Sequence, residues 1–210
     1  FTPITNVANV PGVMVVSSNS KYKTAQDVID AARKDPAKLN YGSSGNGGLS
    51  HLSGALFGNS TKTEITHVPY KGLGPALNDL MAGQIDVVFD NMPSSGGLIA
   101  GNQLRALAVS SPTRLANLPN VPTYAEVGLK SMNDMSWYGI GAPANLDPAV
   151  LAKLSAAMKK ATQNPELIKT IEQQGAIVDF QTPAQFKDTV ERSNKAWAKL
   201  IKDIGFEKLN

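Results

Sequence analysis

The chain has 210 residues, 42% of them hydrophobic, which is enough to build a packed core in one large domain or two small lobes. Its 20 Lys+Arg and 17 Asp+Glu residues give a net charge of +3 and form no basic run, which excludes a nucleic-acid-binding footprint. No apolar stretch approaches the roughly 20 residues of a membrane span, and the absence of cysteine excludes disulfides and thiolate metal sites.

The first half of the chain alternates strand-like and helix-like segments. A β-branched run at residues 12–17 predicts a buried strand, and Thr24 with Asp27 predicts a capping box for a helix that ends before Pro36. This alternation predicts a mainly parallel α/β sheet. The further predicted strands cover residues 39–41, 64–68, 85–90 and 104–109, and the further predicted helices cover residues 49–58, 76–81 and 94–100.

The second half of the chain has a different character. Three prolines within residues 112–129 indicate a structured crossover, which is followed by a strand-like segment at residues 136–141. Prolines then precede apolar periodic segments, a pattern typical of helix starts. The predicted helices cover residues 148–162, 165–174 and 183–205, with a short strand at residues 176–180.

The most informative motif is the glycine- and serine-rich turn that precedes the helix predicted at residues 49–58. Glycines let the backbone approach a ligand, serine hydroxyls add donors, and the first turn of a helix presents unpaired N–H groups at the positive end of its dipole. Such a turn predicts an anion site that needs no charged side chain. The candidate ligand-binding residues of this turn are Ser43, Ser44, Gly45, Asn46, Gly47 and His51.

A second glycine turn precedes the next predicted helix and contributes Tyr70, Lys71, Gly72 and Gly74 as candidate ligand-binding residues. Lys71 either neutralises an anionic ligand or is solvated. Ligands of parallel α/β sheets bind beyond the carboxyl ends of the strands. We therefore expect both glycine turns to line one crevice.

The end of the strand predicted at residues 85–90 should lie at the same crevice and adds Asp90 and Asn91 as candidates. Asp90 either accepts a hydrogen bond from a ligand hydroxyl or ammonium group, or caps a neighbouring backbone. Trp137 is a further candidate, either as a wall of the ligand cleft or as a core aromatic residue.

A serine hydrolase is the main enzyme alternative, because Ser44, His51 and Asp90 are the residue types of a catalytic triad. However, residues 42–46 end in asparagine where the nucleophile elbow needs glycine, and His51 follows closely on the serines, which favours a polar residue near the helix start. Walker A and complete dinucleotide-binding patterns are missing, and His51 and His67 lack a carboxylate cluster. We predict no cofactor and no metal.

Four motifs follow one another along the chain: YGSSGNGGLSHLSGALF, HVPYKGLGPALNDLMAGQIDVVFDNMPSS, LRALAVSSPTRLANLPNVPTYAEVGL and SWYGIGAP. In this order they resemble the substrate-binding proteins of tripartite tricarboxylate transporters, the TctC or Bug family. The resemblance implies a periplasmic type II (Venus flytrap) binding protein without enzymatic activity. It also implies that the two glycine turns hold a di- or tricarboxylate, acidic amino acid or aromatic acid for delivery to membrane permease subunits.

The resemblance further implies an N-terminal truncation, because relatives have strands before the segment that matches the start of this chain. We expect a complete second lobe, the C-terminal part of an incomplete first lobe, and a hinge between them. The C-terminal helices would then expose apolar faces, which an oligomer could cover; a fragment without ligand binding is the remaining alternative. The expected divisions are a crossover at residues 1–9, the second lobe at 10–130, the returning helical part at 131–210 and a hinge near 8–12 and 128–136.

Overall fold

The computed structural model describes residues 1–206 and divides into two units. The larger unit is Pro11–Met135, and the smaller unit combines Phe1–Val10 with the described chain from Ser136 onward. The chain therefore passes from one unit to the other twice, after Val10 and after Met135.

The elements follow the predicted order closely, with β1 as an element that was not predicted. The strands are β1 (Thr2–Val10), β2 (Gly12–Ser17), β3 (Asn40–Ser43), β4 (Thr66–Pro69), β5 (Val87–Asn91), β6 (Leu104–Val109), β7 (Ser136–Ala142) and β8 (Ile177–Val178). The helices are α1 (Ala25–Lys34), α2 (Leu49–Thr61), α3 (Leu73–Met81), α4 (Met92–Ala100), α5 (Pro148–Ala161), α6 (Pro165–Gln173) and α7 (Pro183–Asp203).

The larger unit is built on a five-stranded sheet with the order β4-β3-β5-β2-β6. β3 pairs in parallel with both β4 and β5, whereas β2 runs antiparallel to β5 and β6. Four strands of this sheet thus point in one direction, as the mainly parallel prediction requires, and β2 opposes them. The carboxyl ends of β4, β3 and β5 lie side by side at one edge.

Helices cover both faces of this sheet. Because successive strand residues point to opposite faces, Met14 and Phe89 pack with α1 and α2, while Val13 and Val88 pack with α3 and α4. Helix α1 begins as predicted at a capping box, in which the Thr24 side chain accepts from the Asp27 N–H group. This two-sided packing fixes the helix starts at the edge where the strands end.

The smaller unit contains a three-stranded sheet with the order β7-β1-β8, in which β1 pairs antiparallel with both neighbours. The interpretation of residues 1–9 as a crossover missed this central strand. Its polar residues are the reason, because Asn6 and Asn9 are unusual in a strand and each donates a side-chain hydrogen bond to Asp179 Oδ2. Buried polar pairing therefore stabilises a strand that its sequence pattern does not reveal.

Helices α5 and α6 of the smaller unit have no buried residue. On α5, the apolar side chains of Val150 and Leu154 are 44% and 39% exposed. Contiguous apolar exposure of this kind marks a surface that another segment or chain can cover. Within residues 1–206 no helix is both long enough and apolar enough to traverse a membrane.

Candidate functional site

The two glycine turns lie next to each other in the larger unit because β3 and β4 are parallel neighbours. The Tyr70 N–H group donates to the Ser43 carbonyl oxygen (3.0 Å), and the Gly72 N–H group donates to the Ser44 carbonyl oxygen (3.2 Å). We call residues 43–48 the first turn and residues 70–74 the second turn. The expected juxtaposition of the two turns is confirmed.

The helices that follow these turns begin without a side-chain cap. Gly48 precedes α2 and Gly72 precedes α3, and neither can provide a capping oxygen. Each of the other five α-helices in the described chain is capped by a side chain, from Thr24, Asn91, Asp147, Asn164 or Thr182. The N–H groups of Leu49 and Ser50 in α2, and of Leu73 and Gly74 in α3, are therefore left for an external acceptor.

Side chains of this region hold several first-turn N–H groups. The Ser44 N–H group donates to Ser50 Oγ (2.9 Å), and the Gly45 N–H group donates to Ser43 Oγ (3.1 Å). Ser43 is fully buried, whereas Asn46 is exposed. The hydroxyl of Ser43 thus orders the turn from within, while Asn46 and the start of α2 face outward.

Two histidines stack beside the first turn. The rings of His51 on α2 and His67 on β4 are 3.8 Å apart between centroids and only 4° from parallel. His51 Nδ1 accepts from the Gly47 N–H group (3.0 Å), and His67 Nε2 lies 2.6 Å from Ser43 Oγ. Burial lowers the pKa of both imidazoles, and the proximity of His51 further lowers the pKa of His67, to about 4. Both rings are therefore neutral at pH 7.

Acidification is expected to destabilise the larger unit through His67. Its pKa falls from 6.5 in the unfolded chain to about 4 in the folded chain, so its stabilising contribution is complete above pH 6.5 and is lost as the pH falls towards 4. With allowance for solvent screening of a half-buried ring, we expect a loss of about 1 kcal/mol. Urea unfolding across this pH range should show a shallower decline for His67→Gln, which cannot titrate. An identical decline in both proteins would contradict the prediction.

In the second turn, Gly72 adopts a φ of 97°, a conformation that favours glycine. Tyr70 donates its hydroxyl hydrogen to Asp79 Oδ2 (2.7 Å), and burial together with this carboxylate raises the pKa of Tyr70 to about 12. Lys71 is exposed. Gly74 lies in the first turn of α3, where an added Cβ would meet no described atom within 4 Å.

Asp90 lies at the end of β5 and is 8% exposed. Its Oδ2 atom accepts from the Ser95 hydroxyl (2.5 Å), while its buried Oδ1 atom has no hydrogen-bond partner within the described residues. Burial raises the pKa of this carboxyl group. Asn91 caps α4 by accepting from the Ser94 N–H group (3.2 Å). Oδ1 thus keeps unused acceptor capacity, although it is buried from solvent.

Trp137 lies on β7 of the smaller unit, where its ring packs edge-on against Phe186 at 5.1 Å and its Nε1 atom donates to Ser193 Oγ (2.9 Å). These contacts are those of a packed aromatic residue with a satisfied N–H group. Its contact with a ligand stays a prediction.

Neither the triad nor a metal site is assembled from these residues. Ser44 Oγ lies 3.1 Å from Ser50 Oγ, His51 Nδ1 already accepts a backbone N–H group, and Asp90 is bonded to Ser95. Across residues 1–206, no group of three or more His, Cys, Asp or Glu side chains is placed to hold a metal ion. The geometry instead presents backbone donors and one exposed lysine.

The sequence did not predict a site role for His67, because only the register between β3 and β4 brings this residue next to the first turn. That register pairs Tyr41 with His67 and places the imidazole below the first turn. Ser50 was not among the predicted site residues either, although its Oγ atom is the acceptor for the Ser44 N–H group. Its place at the second position of α2, six residues after Ser44, was the available signal.

The family profile described as "Tripartite tricarboxylate transporter family receptor" matches residues 1–206. A Pseudomonas sp. (strain P51) protein named "UPF0065 protein in tcbD-tcbE intergenic region" is 35% identical over 96% of this chain and 60% of its own length. The chain thus spans about 60% of the length of the curated relatives that it matches at 34–35% identity.

Two solved structures show the same fold. The R. palustris protein Rpa4515, solved with adipate, is 33% identical with a TM-score of 0.87, covering 98% of this chain and 69% of that one. MatC from Rhodopseudomonas palustris, solved with bound malate, is 25% identical with a TM-score of 0.84, covering 96% of this chain and 69% of that one. The α/β fold is therefore that of periplasmic binding proteins. The chain belongs to the tripartite tricarboxylate transporter receptor family.

Proposed function

We propose that this chain binds a small carboxylate at the two glycine turns of its larger unit, as part of a periplasmic solute-binding receptor. Members of this family and its structural neighbours are solute-binding proteins and not enzymes. The observation that carries the proposal is that α2 and α3, which begin at adjacent turns, are the two described α-helices without a side-chain cap. Backbone donors left open at adjacent helix starts suit the two oxygens of one carboxylate.

The donors can be named from helix geometry. Four backbone N–H groups lie in the first helical turn of their helix and have no intrahelical acceptor. They belong to Leu49 and Ser50 on α2 and to Leu73 and Gly74 on α3. Pro75 offers no N–H group, so α3 contributes at its first two positions. Exposed Lys71 adds positive charge beside them. These groups favour an anion without reading what lies beyond its carboxylate.

Two observations support a proposed ligand class. One structural neighbour was solved with adipate and another with malate, which are both dicarboxylates. Asp90 has a buried Oδ1 atom without a partner, and a ligand hydroxyl or ammonium group would satisfy it once ligand binding opens access to this atom. We therefore propose a di- or tricarboxylate or an acidic amino acid, and among these Asp90 would favour ligands with a hydroxyl or ammonium group near one carboxylate. Delivery to membrane permease subunits of a tripartite tricarboxylate transporter belongs to the same proposal.

Binding should be measured by calorimetry with malate and adipate, and Gly74→Leu is the sharpest variant. Leucine suits a helix and its Cβ meets open space, but the side chain would occupy the approach to the α3 N–H groups. We expect about tenfold or greater weakening, while stability is retained. Gly97→Leu on α4 is the matched control, because an added Cβ there also meets no described atom within 4 Å.

Saturable binding of neither carboxylate, in this chain and in a longer form that includes the additional part of its relatives, would refute the proposal. Binding by the longer form alone would mean that the isolated chain is a fragment without ligand binding. If Gly74→Leu and Gly97→Leu bind with equal affinity, the ligand does not bind at the start of α3. Turnover of a chromogenic ester that Ser44→Ala abolishes would favour the hydrolase alternative.

The exposed apolar residues of α5 form a surface that an oligomer contact could cover. We propose that a second copy of this chain covers Val150 and Leu154, and the competing occupant is the additional segment of longer relatives. Sedimentation of this chain and of the longer form separates the two, because only coverage by a second copy makes the mass depend on concentration.

A further inference from the structure

The stacked histidines link elements that are distant in sequence. His51 lies in the first helical turn of α2, and His67 lies on β4. The centroid of the Tyr41 ring on β3 is 5.0 Å from that of the His67 ring. Tyr41 also donates its hydroxyl hydrogen to the His51 carbonyl oxygen (3.2 Å). The pair therefore lies where β3, β4 and α2 meet, directly under the first turn.

Each imidazole forms a hydrogen bond to the first turn through one of its nitrogens. His51 Nδ1 accepts from Gly47, and His67 Nε2 pairs with the buried hydroxyl of Ser43, which in turn accepts from Gly45. Ser43 and Ser44 are also the residues whose carbonyl oxygens accept from the second turn. A displacement of either imidazole would thus reach both turns through hydrogen bonds that are all present in the structure.

We propose that His51 and His67 are positioning residues, which hold the first turn in its carboxylate-binding conformation through one imidazole nitrogen each. The proposal deepens the carboxylate-binding function and rests on it. Hydrogen bonding carries the effect and the stacking keeps the two rings in place. An acceptor at Nδ1 requires that His51 lacks a proton there, so the neutral ring carries its proton on Nε2.

The alternative is that the histidines only fill space, and two substitutions at His51 separate these roles. His51→Asn places an amide oxygen near the position of Nδ1 and so keeps an acceptor for Gly47, but it removes the ring. His51→Phe keeps an aromatic ring against His67 but removes the acceptor. At His67, the corresponding pair is His67→Gln, which keeps a polar group near Nε2, and His67→Phe.

Calorimetry with malate and adipate should give affinities for His51→Asn and His67→Gln within about threefold of wild type, and a loss of about tenfold or more for both phenylalanine variants. Thermal unfolding of all four variants provides the stability comparison. Wild-type affinity in His51→Phe and His67→Phe would overturn the proposal. Equal losses in the asparagine and phenylalanine variants would also overturn it, because the acceptor would then be irrelevant.

A ligand-free measurement separates this proposal from the proposed function. In NMR spectra of wild type, His51 should show an unprotonated Nδ1, and the exchange rate of the Gly47 amide should rise in His51→Phe but not in His51→Asn. This pattern would support the positioning role even if malate and adipate failed to bind to wild type. A protonated Nδ1 in the neutral ring, or unchanged Gly47 exchange in His51→Phe, would overturn it whatever the ligand result.

Discussion

Gly54→Ala should lower the free energy of unfolding by about 1 to 3 kcal/mol, although alanine is the better helix former. Gly54 lies within α2, and an added Cβ would fall 2.1 to 2.5 Å from three atoms of the Tyr41 ring. That ring cannot move freely, since it packs edge-on against Phe89 at 5.9 Å and donates its hydroxyl hydrogen to the His51 carbonyl oxygen. Overpacking therefore outweighs the gain in helix propensity.

Gly97→Ala on α4 is the matched control. Its Cβ would meet no described atom within 4 Å, so helix propensity alone should act and raise stability by about 0.5 to 1 kcal/mol. Urea unfolding of both variants at one pH gives the comparison. Because the displaced Tyr41 ring adjoins the stacked histidines, Gly54→Ala should also weaken carboxylate binding in calorimetry. If both variants change the free energy of unfolding with the same sign, the contact with Tyr41 does not outweigh helix propensity at Gly54.

The elements that were predicted well are those with local signals. The helices beginning at Pro148, Pro165 and Pro183 start where the sequence placed them, because a proline in the first turn and a capping side chain before it act within a few residues. Strand β1 lacked any local signal, since its buried Asn6 depends on Asp179 at the other end of the chain. A pairing of that separation becomes visible only in the folded chain.

The same distinction applies to the site. The first turn was predicted from adjacent glycines and serines, and its position beside the second turn followed from the rule for parallel strands. The fully buried position of Ser43 could not be predicted, because it depends on the register that brings His67 to its hydroxyl. Local composition identified the candidate turn, whereas His67, one of the side chains that hold it, comes from the neighbouring strand β4.

Asp90→Asn should raise the free energy of unfolding at pH 7 by about 1 kcal/mol, because a buried carboxylate with one unsatisfied oxygen is costlier than a neutral amide. The asparagine oxygen can still accept from Ser95. Burial raises the pKa of Asp90, so the wild-type protein recovers this stability as the pH falls through the folded pKa. The advantage of the variant in urea unfolding should therefore shrink on acidification. A constant advantage would mean that the charge is not its origin.

The same substitution should reduce affinity for some ligands and not for others. If Asp90 Oδ1 accepts the hydroxyl hydrogen of malate, Asp90→Asn weakens malate binding by about tenfold and leaves succinate, which lacks that hydroxyl, nearly unchanged. Calorimetry with this matched ligand pair tests the point without reference to stability. Equal weakening for malate and succinate would mean that Asp90 acts on the shape of the site instead. If Asp90→Asn gains stability and selectively loses affinity for malate, the buried charge of Asp90 serves malate binding and lowers the free energy of unfolding.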